Sequence, residues 1–252
     1  MEEKFFCGKQ ALIVGGTGGI GREISLSLAE SGADLCIHGA HGGEKCDSLL
    51  NEISARCGKS PDLIIQNLLE IPFSELESTE LFERAKRTDI LCLCFGPFVQ
   101  KPLHETLIED WQRVALYDYA LSGALLSAAL PGMMERRWGR ILLLGGTGTS
   151  VRREFASNAA YAGAKSALNV LLDSTAAFYA DYGITCNMIL PGFVDTEYQD
   201  TRLKESLAAK MPLKSMICPK SIAEKALFLM KNADINGAAV RVDRGWSALK
   251  SL

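Results

Sequence analysis

The chain has 252 residues, of which 48% are hydrophobic and 23% charged, and its formal net charge at pH 7 is −3. A chain of this length and composition can bury a sizeable core, and we expect one globular domain over residues 1–252. The slightly acidic balance disfavours a nucleic-acid surface, the first residues do not form a signal peptide, and the best apolar run, Ala124 to Met134, is too short to span a membrane and contains Pro131.

Short apolar runs alternate with helical patterns along the whole chain. The predicted strands are Gln10–Val14, Ala33–His38, Asp62–Gln66, Asp89–Phe95, Gly139–Leu144, Ile184–Leu190 and Ala238–Val242. The longest helical patterns run from Ile108 to Arg136 and from Ala159 to Tyr182. Apolar strands separated by single helices predict an α/β fold with a parallel sheet covered by helices on both faces.

A glycine-rich turn follows the first predicted strand and opens a helix. Gly15-x-x-x-Gly19-x-Gly21 has the context in which such a pattern indicates dinucleotide binding. Glycine permits a tight turn and close approach of the backbone to a pyrophosphate, whose charge is favoured at a helix N-terminus. We predict cofactor contacts from Gly15, Thr17, Gly19, Ile20 and Gly21. The alternative is a glycine-rich turn without a ligand.

The loop after the second strand bears on the choice between NAD and NADP. A carboxylate there binds the adenosine ribose hydroxyls, whereas its absence leaves space for a 2′-phosphate. The sequence Gly39-Ala40-His41-Gly42-Gly43 contains neither an acid nor an arginine. NADP(H) is therefore favoured over NAD(H), with Gly39 and His41 beside the cofactor. His41 is a weak donor or simply a solvated loop residue.

Tyr161 and Lys165 are the best candidates for catalysis. Side chains four residues apart share one face of a helix, so the phenol and the ammonium point into the same space. A cation beside a phenol favours the phenolate, which would bring the pKa of Tyr161 toward working pH. This chemistry suits the reduction of a carbonyl, or the oxidation of an alcohol, beside a hydride carrier. A chance pair on an exposed helix is the alternative.

The eight cysteines show no C-x-x-C motif and no metal-ligand spacing with the three histidines. Those in predicted strands have the positions of small buried hydrophobic residues. We expect reduced thiols, a cytoplasmic location and no metal site.

These motifs, in this order and spacing, resemble the short-chain dehydrogenase/reductase family over nearly the whole chain. The glycine turn, the Tyr161 and Lys165 pair, Leu190 to Thr196 and Asn236 to Trp246 carry the resemblance. It implies a doubly wound Rossmann-type domain with seven parallel strands, usually assembled as a homotetramer or homodimer. The pattern is nearest to 3-oxoacyl-carrier-protein reductase-like members.

The resemblance also implies roles for individual residues. Tyr161 would exchange the proton, and Lys165 would hold the nicotinamide ribose and lower the pKa of the tyrosine. Further cofactor contacts would come from Asn67 and Leu68 beside the adenine, from Gly96, and from Pro191, Gly192, Val194 and Thr196 at the nicotinamide. The segment of roughly 197–218 would form a variable substrate lid.

Three departures from the family pattern stand out. Only Gly96 remains of the family's Asn-Asn-Ala-Gly motif, and the relay asparagine of the following helix aligns with Ala120, leaving Ser122 or water to compensate. The substrate-binding serine falls at Gly146 when counted from the preceding strand and at Gly148 when counted back from Tyr161. Thr147 is the best candidate for a displaced hydroxyl, or it is an ordinary loop residue. Losing such a donor typically lowers the rate by about 10²–10³.

The main hypothesis is an NAD(P)-dependent oxidoreductase that reduces a ketone with NADPH, with Tyr161 as proton donor. The alternative is a silent dinucleotide-binding homologue acting as a sensor or scaffold. Another Rossmann enzyme, such as a methyltransferase, leaves Tyr161 and Lys165 unexplained.

Basic residues from Arg136 to Arg140 suggest contact with an acidic carrier protein, although the helix after Lys165 lacks the basic residue expected there. The two long helices are apolar over more than one face, which favours self-association.

Overall fold

The computed structural model describes residues 4–246, so the first three and last six residues of the expected domain lie outside the described part. Its seven strands form one sheet in which all neighbours are parallel. They are β1 (Gln10–Val14), β2 (Asp34–Gly39), β3 (Asp62–Ile65), β4 (Ile90–Leu93), β5 (Gly139–Leu144), β6 (Ile184–Pro191) and β7 (Ala239–Val242). The order across the sheet is β3-β2-β1-β4-β5-β6-β7, as expected for a Rossmann-type arrangement.

Helices connect successive strands and cover both faces of the sheet. They are α1 (Gly19–Glu30), α2 (Glu44–Cys57), α3 (Glu80–Arg87), α4 (Ile108–Val114), α5 (Leu121–Arg136), α6 (Ala159–Phe178), α7 (Thr201–Lys210) and α8 (Pro219–Lys231). Short 3-10 helices occur at Leu68–Glu70, Phe73–Ser78, Leu103–Glu105 and Ala180–Tyr182. The predicted strands agree with these elements within two residues at their ends, and so does the predicted helix from Ile108 to Arg136. The helix predicted from Ala159 to Tyr182 is too long: α6 ends at Phe178, and a separate 3-10 helix follows at Ala180–Tyr182.

Two large apolar clusters cover the sheet, one on each face, and a third, small cluster of Val99, Val114 and Ala160 lies beside Tyr161. In one cluster, Ile24 and Leu28 of α1 and Ile222 of α8 pack against strand residues such as Ile13. In the other, residues of α3, α5 and α6 pack against the opposite face, including the fully buried Leu172. This two-sided burial explains why the strands are almost uniformly apolar rather than alternating.

The helix from Ile108 to Arg136 contains a π-helical turn, Ala115–Ala120, between α4 and α5. By length and composition this continuous helix could cross a membrane. The sequence analysis had considered only the apolar run from Ala124 to Met134, which is too short to do so. Its buried side chains include Leu125, Leu126 and Met133, which belong to the core beneath the sheet. The helix is thus a core element of the α/β fold.

The order of the strands reverses at β1, whose neighbours are β2 on one side and β4 on the other. In open parallel sheets, ligands bind in the crevice beyond the carboxyl ends of the strands at such a point. The glycine turn leaves β1 at this end, and the segments that follow β4, β5 and β6 reach the same edge.

Candidate active site

The glycine turn is fixed to the end of β2 by a buried histidine that the sequence did not single out. The backbone N–H of Gly15 donates to Nδ1 of His38 at 3.2 Å, and Nε2 of His38 lies 2.9 Å from the carbonyl oxygen of Gln66. These partners require a neutral ring with its proton on Nε2. His38 is 1% exposed, and burial lowers its pKa. A neutral imidazole therefore joins the turn to β2 and to the end of β3.

Two glycines, one in the turn and one at the end of β2, have no space for a side chain. A Cβ on Gly21 would overlap the carbonyl oxygen of Gly15, and one on Gly39 would overlap the side chain of Thr17. Gly15 itself has a φ of +76°. Ile20 is half-buried and packs against the core with its side chain, so its backbone is what remains for a ligand. The turn thus has the bare backbone that close approach of a pyrophosphate requires.

An acidic side chain already lies against the N-terminus of α1. Oε1 of Glu197 accepts a hydrogen bond from the backbone N–H of Gly19 at 3.0 Å. The hydroxyl of Tyr198 lies over Gly18, where it would overlap any added Cβ. A helix N-terminus favours a negatively charged group, and here the carboxylate of Glu197 takes that place. Sequence reasoning missed this contact, which joins residues 178 positions apart.

The residues predicted to contact the adenine lie at the carboxyl ends of β2 and β3. The side chain of Asn67 caps the 3-10 helix Leu68–Glu70 by accepting from the N–H of Leu69 at 3.2 Å, and its amide donates to Glu70 at 2.7 Å. Leu68 is fully buried, so only its backbone is available to a base. His41 is exposed, and its carbonyl oxygen accepts from the thiol of Cys46.

Tyr161 and Lys165 share one face of α6, as their spacing predicts. Nζ of Lys165 lies 5.8 Å from the centre of the Tyr161 ring and donates to the carbonyl oxygen of Leu144 at 3.1 Å. Lys165 is 5% exposed. The ring of Phe98, in the loop after β4, packs edge-on against Tyr161 with 4.8 Å between centres. The phenol and the ammonium therefore meet at the carboxyl end of β5.

The expected lowering of the Tyr161 pKa by Lys165 is present, but burial outweighs it. Burial raises the pKa, the charge of Lys165 lowers it and the charge of Asp118 raises it again, with a net rise above 10.0. Burial alone would lower the pKa of Lys165, but the charges of Tyr161 and Asp118 raise it. Tyr161 is therefore a protonated phenol at neutral pH and Lys165 an ammonium.

Asp118, two residues before Ala120, lies against Lys165. Its Oδ1 is 2.9 Å from Nζ of Lys165. The family asparagine aligns with Ala120 in the sequence, but the side chain that reaches Lys165 from this π-helical turn is that of Asp118. Gly96 packs so closely on this pair that a Cβ would overlap Oδ1 and lie 2.9 Å from Nζ. An acid within a largely apolar stretch of this helix, residues 114–130, was the available sequence signal.

The position of the expected serine hydroxyl is occupied by a bare backbone. A Cβ on Gly146 would lie 3.4 Å from Cε1 of Tyr161, whereas one on Gly148 would meet the side chain of Arg153. Of the two positions considered for the family serine, Gly146, which was counted from the preceding strand, is therefore the one that lies beside Tyr161. The hydroxyl of Thr147 donates to the carbonyl oxygen of Pro191 at 2.7 Å, and the hydroxyl of Thr149 bonds the backbone of Gly146.

The segment after β6 closes the crevice from the other side. The N–H of Gly192 donates to the carbonyl oxygen of Val242 at 3.0 Å, and Val194 is buried in a bridge to Ile217. Thr196 bonds Gln199 through both its N–H and its hydroxyl, and its Cγ2 would lie 3.4 Å from a Cβ on Gly19. The predicted nicotinamide residues thus reach the glycine turn.

Three further features of the described chain concern metal ligands, cysteines and a cavity. Within residues 4–246 no group of three or more histidine, cysteine or acidic side chains is arranged to hold a metal ion. All eight cysteines, each within that range, are free thiols. A cavity of about 300 Å³ lies at the amino ends of β1, β2 and β3, away from Tyr161, and is lined by residues such as Cys7, Asp34 and Lys59.

The fold and the site define a dinucleotide-binding α/β protein with a tyrosine and lysine pair. A family model described as enoyl-(acyl carrier protein) reductase matches residues 15–247. D-beta-hydroxybutyrate dehydrogenase of Rhizobium meliloti is 27% identical over 95% of this chain and 99% of its own. The 3-oxoacyl-(acyl-carrier-protein) reductase of Staphylococcus aureus is 29% identical over 94% of this chain and 97% of its own.

A protein of known structure is likewise similar to this chain over nearly its whole length. The 3-oxoacyl (acyl-carrier-protein) reductase of Agrobacterium tumefaciens C58, with NADP bound, is 25% identical and superimposes with a TM-score of 0.86 over 97% of this chain and 96% of its own. The chain belongs to the short-chain dehydrogenase/reductase family. It is an NAD(P)-dependent oxidoreductase acting on CH–OH and C=O groups, and nothing in these comparisons supports a silent sensor or scaffold.

Proposed function

We propose that the protein reduces a ketone to a secondary alcohol with NADPH, using Tyr161 as the proton donor. The observation that carries this proposal is the meeting of Tyr161 and Lys165 at the crevice onto which the glycine turn opens. The direction is supported by the protonation of the phenol. A tyrosine whose pKa is raised holds its proton at neutral pH and can give it to a developing alkoxide.

The residues of the crevice fit a dinucleotide. The bare turn at Gly15 and Gly21 and the N–H of Gly19 would hold the pyrophosphate, the end of β2 and Asn67 would border the adenosine, and Pro191 to Thr196 would border the nicotinamide. When bound, the reduced nicotinamide supplies the hydride that the carbonyl carbon accepts.

The chain's own groups supply the proton and the electrostatic support. Oη of Tyr161 donates its proton to the carbonyl oxygen as that oxygen gains negative charge. The Lys165 ammonium, fixed by the carbonyl oxygen of Leu144 and by Asp118, stabilises the resulting phenolate. Phe98 packs on the ring of Tyr161 and limits its orientation.

The preference for NADP(H) rests on the loop after β2. Residues 39–43 contain no acid, and Gly39 has Thr17 packed where a side chain would begin. This leaves the ribose 2′ position without the carboxylate that NAD-binding members use. NADP is bound in the reductase of Agrobacterium tumefaciens to which the chain is similar. His41 is a further donor within this loop.

We propose a small carbonyl or alcohol compound as the substrate rather than an acyl chain on a carrier protein. The arginines that suggested a carrier contact are engaged elsewhere: Arg136 pairs with Asp89, Arg137 donates to the carbonyl oxygen of Asp181, and Arg140 is buried against the carbonyl oxygen of Met230. Residues 197–218, which include α7, would form the substrate lid of a single domain.

The protein would work in the cytoplasm as a homodimer or homotetramer. The free thiols support a reducing compartment. Apolar side chains remain exposed on the outer side of α6, namely Val170 at 60% and Phe178 at 77%, and association would cover them.

The first experiment is fluorescence titration with NADPH and NADH, followed by a panel of ketones with the tighter cofactor. Trp111, Trp138, Trp246 and the nicotinamide supply the signal. We expect tighter binding of NADPH, turnover of at least one ketone, and loss of that turnover in Tyr161→Phe with cofactor binding retained. Binding without turnover across the panel, or turnover that survives Tyr161→Phe, would contradict the proposal.

A further inference from the structure

Asp118 is a carboxylate in direct contact with Lys165, and it is almost completely enclosed. The residue is 1% exposed, and its Oδ1 lies 2.9 Å from Nζ of Lys165. Its Oδ2 is buried without a hydrogen-bond partner among residues 4–246. A buried carboxylate is costly unless its charge is offset, and Lys165 is the cation that offsets it here.

The backbone around Asp118 is built to hold this side chain in place. The π-helical turn Ala115–Ala120 carries it toward the sheet, and Ser122 secures the turn by donating to the carbonyl oxygen of Asp118 at 2.9 Å. On the other side, Gly96 leaves no room for a side chain between the loop after β4 and the carboxylate. Ser122 is therefore occupied by the backbone and does not reach for Lys165 in place of an asparagine.

The titratable groups facing this pair are few. Lys165 and Tyr161 come from α6, and the thiol of Cys94 approaches Lys165 from the end of β4. Burial raises the pKa of Asp118 to about 6 although Lys165 lowers it, and burial raises the pKa of Cys94 to about 12. At neutral pH the arrangement is thus one carboxylate, one ammonium, one neutral thiol and one neutral phenol.

We propose that Asp118 is a positioning residue for the reductive reaction: its carboxylate fixes the Lys165 ammonium and offsets part of its charge, which keeps Tyr161 protonated. This inference rests on the proposed function of Tyr161 as proton donor. A neutral amide at position 118 would leave the ammonium uncompensated, and the phenolate form of Tyr161 would become easier to reach. Asp118 acts through Lys165 and does not touch the substrate.

The test is the titration of Tyr161 with and without the carboxylate. Phenolate absorbance after rapid pH jumps is recorded for the wild type and for Tyr161→Phe, and their difference isolates this one tyrosine. The same difference is taken between Asp118→Asn and the double variant Asp118→Asn with Tyr161→Phe. Glu109→Gln is the matched control, because it removes an exposed negative charge from the same continuous helix. Circular dichroism verifies folding, and Asp118→Ser is the second variant if the asparagine variant does not fold.

We expect the midpoint of the Tyr161 titration to move to lower pH in Asp118→Asn and to stay unchanged in Glu109→Gln. The alkaline limb of kcat/KM for ketone reduction should move to lower pH in the same variant, because the rate needs the protonated phenol. An unchanged or higher midpoint in Asp118→Asn would overturn the inference, whatever happens to the rate. If the wild type reduced no ketone, the proposed function would fail while the absorbance titration would still report on Asp118.

Discussion

Gly146 lies beside the edge of the Tyr161 ring, where a Cβ on the glycine would be 3.4 Å from Cε1 of the tyrosine. The two neighbouring threonines do not supply a free hydroxyl in its place. Thr147 donates to the carbonyl oxygen of Pro191, and Thr149 is bonded to the backbone of Gly146. Neither threonine therefore offers a free hydroxyl beside Tyr161 in place of the missing serine.

We predict that Gly146→Ser increases kcat for ketone reduction by at least about tenfold. Removing a preorganised donor from an oxyanion site typically costs about 10²–10³ in rate, and adding one recovers part of such a loss. The backbone of Gly146 does not require a positive φ, and a Cβ there would lie 3.2 Å from Cγ2 of Thr149. The threonine methyl must shift slightly to admit the new side chain. Steady-state kinetics with one ketone measures the gain.

Gly146→Ala is the matched control for this prediction. It introduces the same Cβ and the same displacement of Thr149 without a hydroxyl, so its kcat should equal or fall below that of the wild type. Equal kcat values for the serine and alanine variants would show that the hydroxyl contributes nothing at this position.

Glu197 would compete with the pyrophosphate of the proposed cofactor for one donor, the N–H of Gly19. The carboxylate occupies that donor at 3.0 Å and lies in the positive field of the α1 N-terminus. Glu197→Gln removes the charge and should tighten NADPH binding by roughly two- to fivefold, which corresponds to about 0.3–1 kcal/mol for a charge at a helix terminus. Fluorescence titration at low ionic strength measures the change in Kd.

Glu205→Gln is the control for this substitution. Glu205 is an exposed acid on α7, in the same segment of the chain, and has no contact with the glycine turn among the described hydrogen bonds and ion pairs. Its removal should leave Kd unchanged. Weaker binding of NADPH by Glu197→Gln would mean that the carboxylate assists the cofactor rather than excluding it.

The sequence was informative wherever a local pattern determines the contact. The strand, glycine turn and helix from Gln10 onward predict the cofactor end, and the spacing of Tyr161 and Lys165 predicts their shared face, because both depend on regular backbone geometry. The seven strands were likewise predicted from apolar runs, because a strand that is covered by helices on both faces must be apolar on both sides.

The contacts that the sequence did not predict depend on irregular backbone or on distant pairing. Alignment with the family motif led to Ala120, whereas the side chain that reaches Lys165 from the π-helical turn is that of Asp118. The contact between Glu197 and Gly19 joins two loops whose approach no local pattern encodes. Thr147 had the right chemistry and position in the sequence, but its hydroxyl donates to Pro191.

His38 makes the glycine turn sensitive to acid. Its Nδ1 must be unprotonated to accept from the N–H of Gly15, and burial lowers its pKa below the ordinary value of 6.5. In the unfolded chain the ring binds a proton near pH 6.5, while the folded chain resists this proton until the pH is lower. His38 therefore supports the folded state fully above about pH 6.5 and loses that contribution as the pH falls toward its lowered pKa.

We predict that the free energy of unfolding of the wild type decreases below pH 6.5 relative to that of His38→Gln. One group can change this free energy by at most about 1.4 kcal/mol per pH unit. Urea unfolding between pH 8 and pH 5 measures both proteins, and NADPH affinity should weaken over the same range because the turn loses its anchor. His41→Gln, which alters an exposed histidine of the next loop, should retain the wild-type pH dependence of the free energy of unfolding. If the wild type and His38→Gln lost stability in parallel, another group would be responsible and the neutral bridge from β2 to Gly15 would not be the acid-sensitive element.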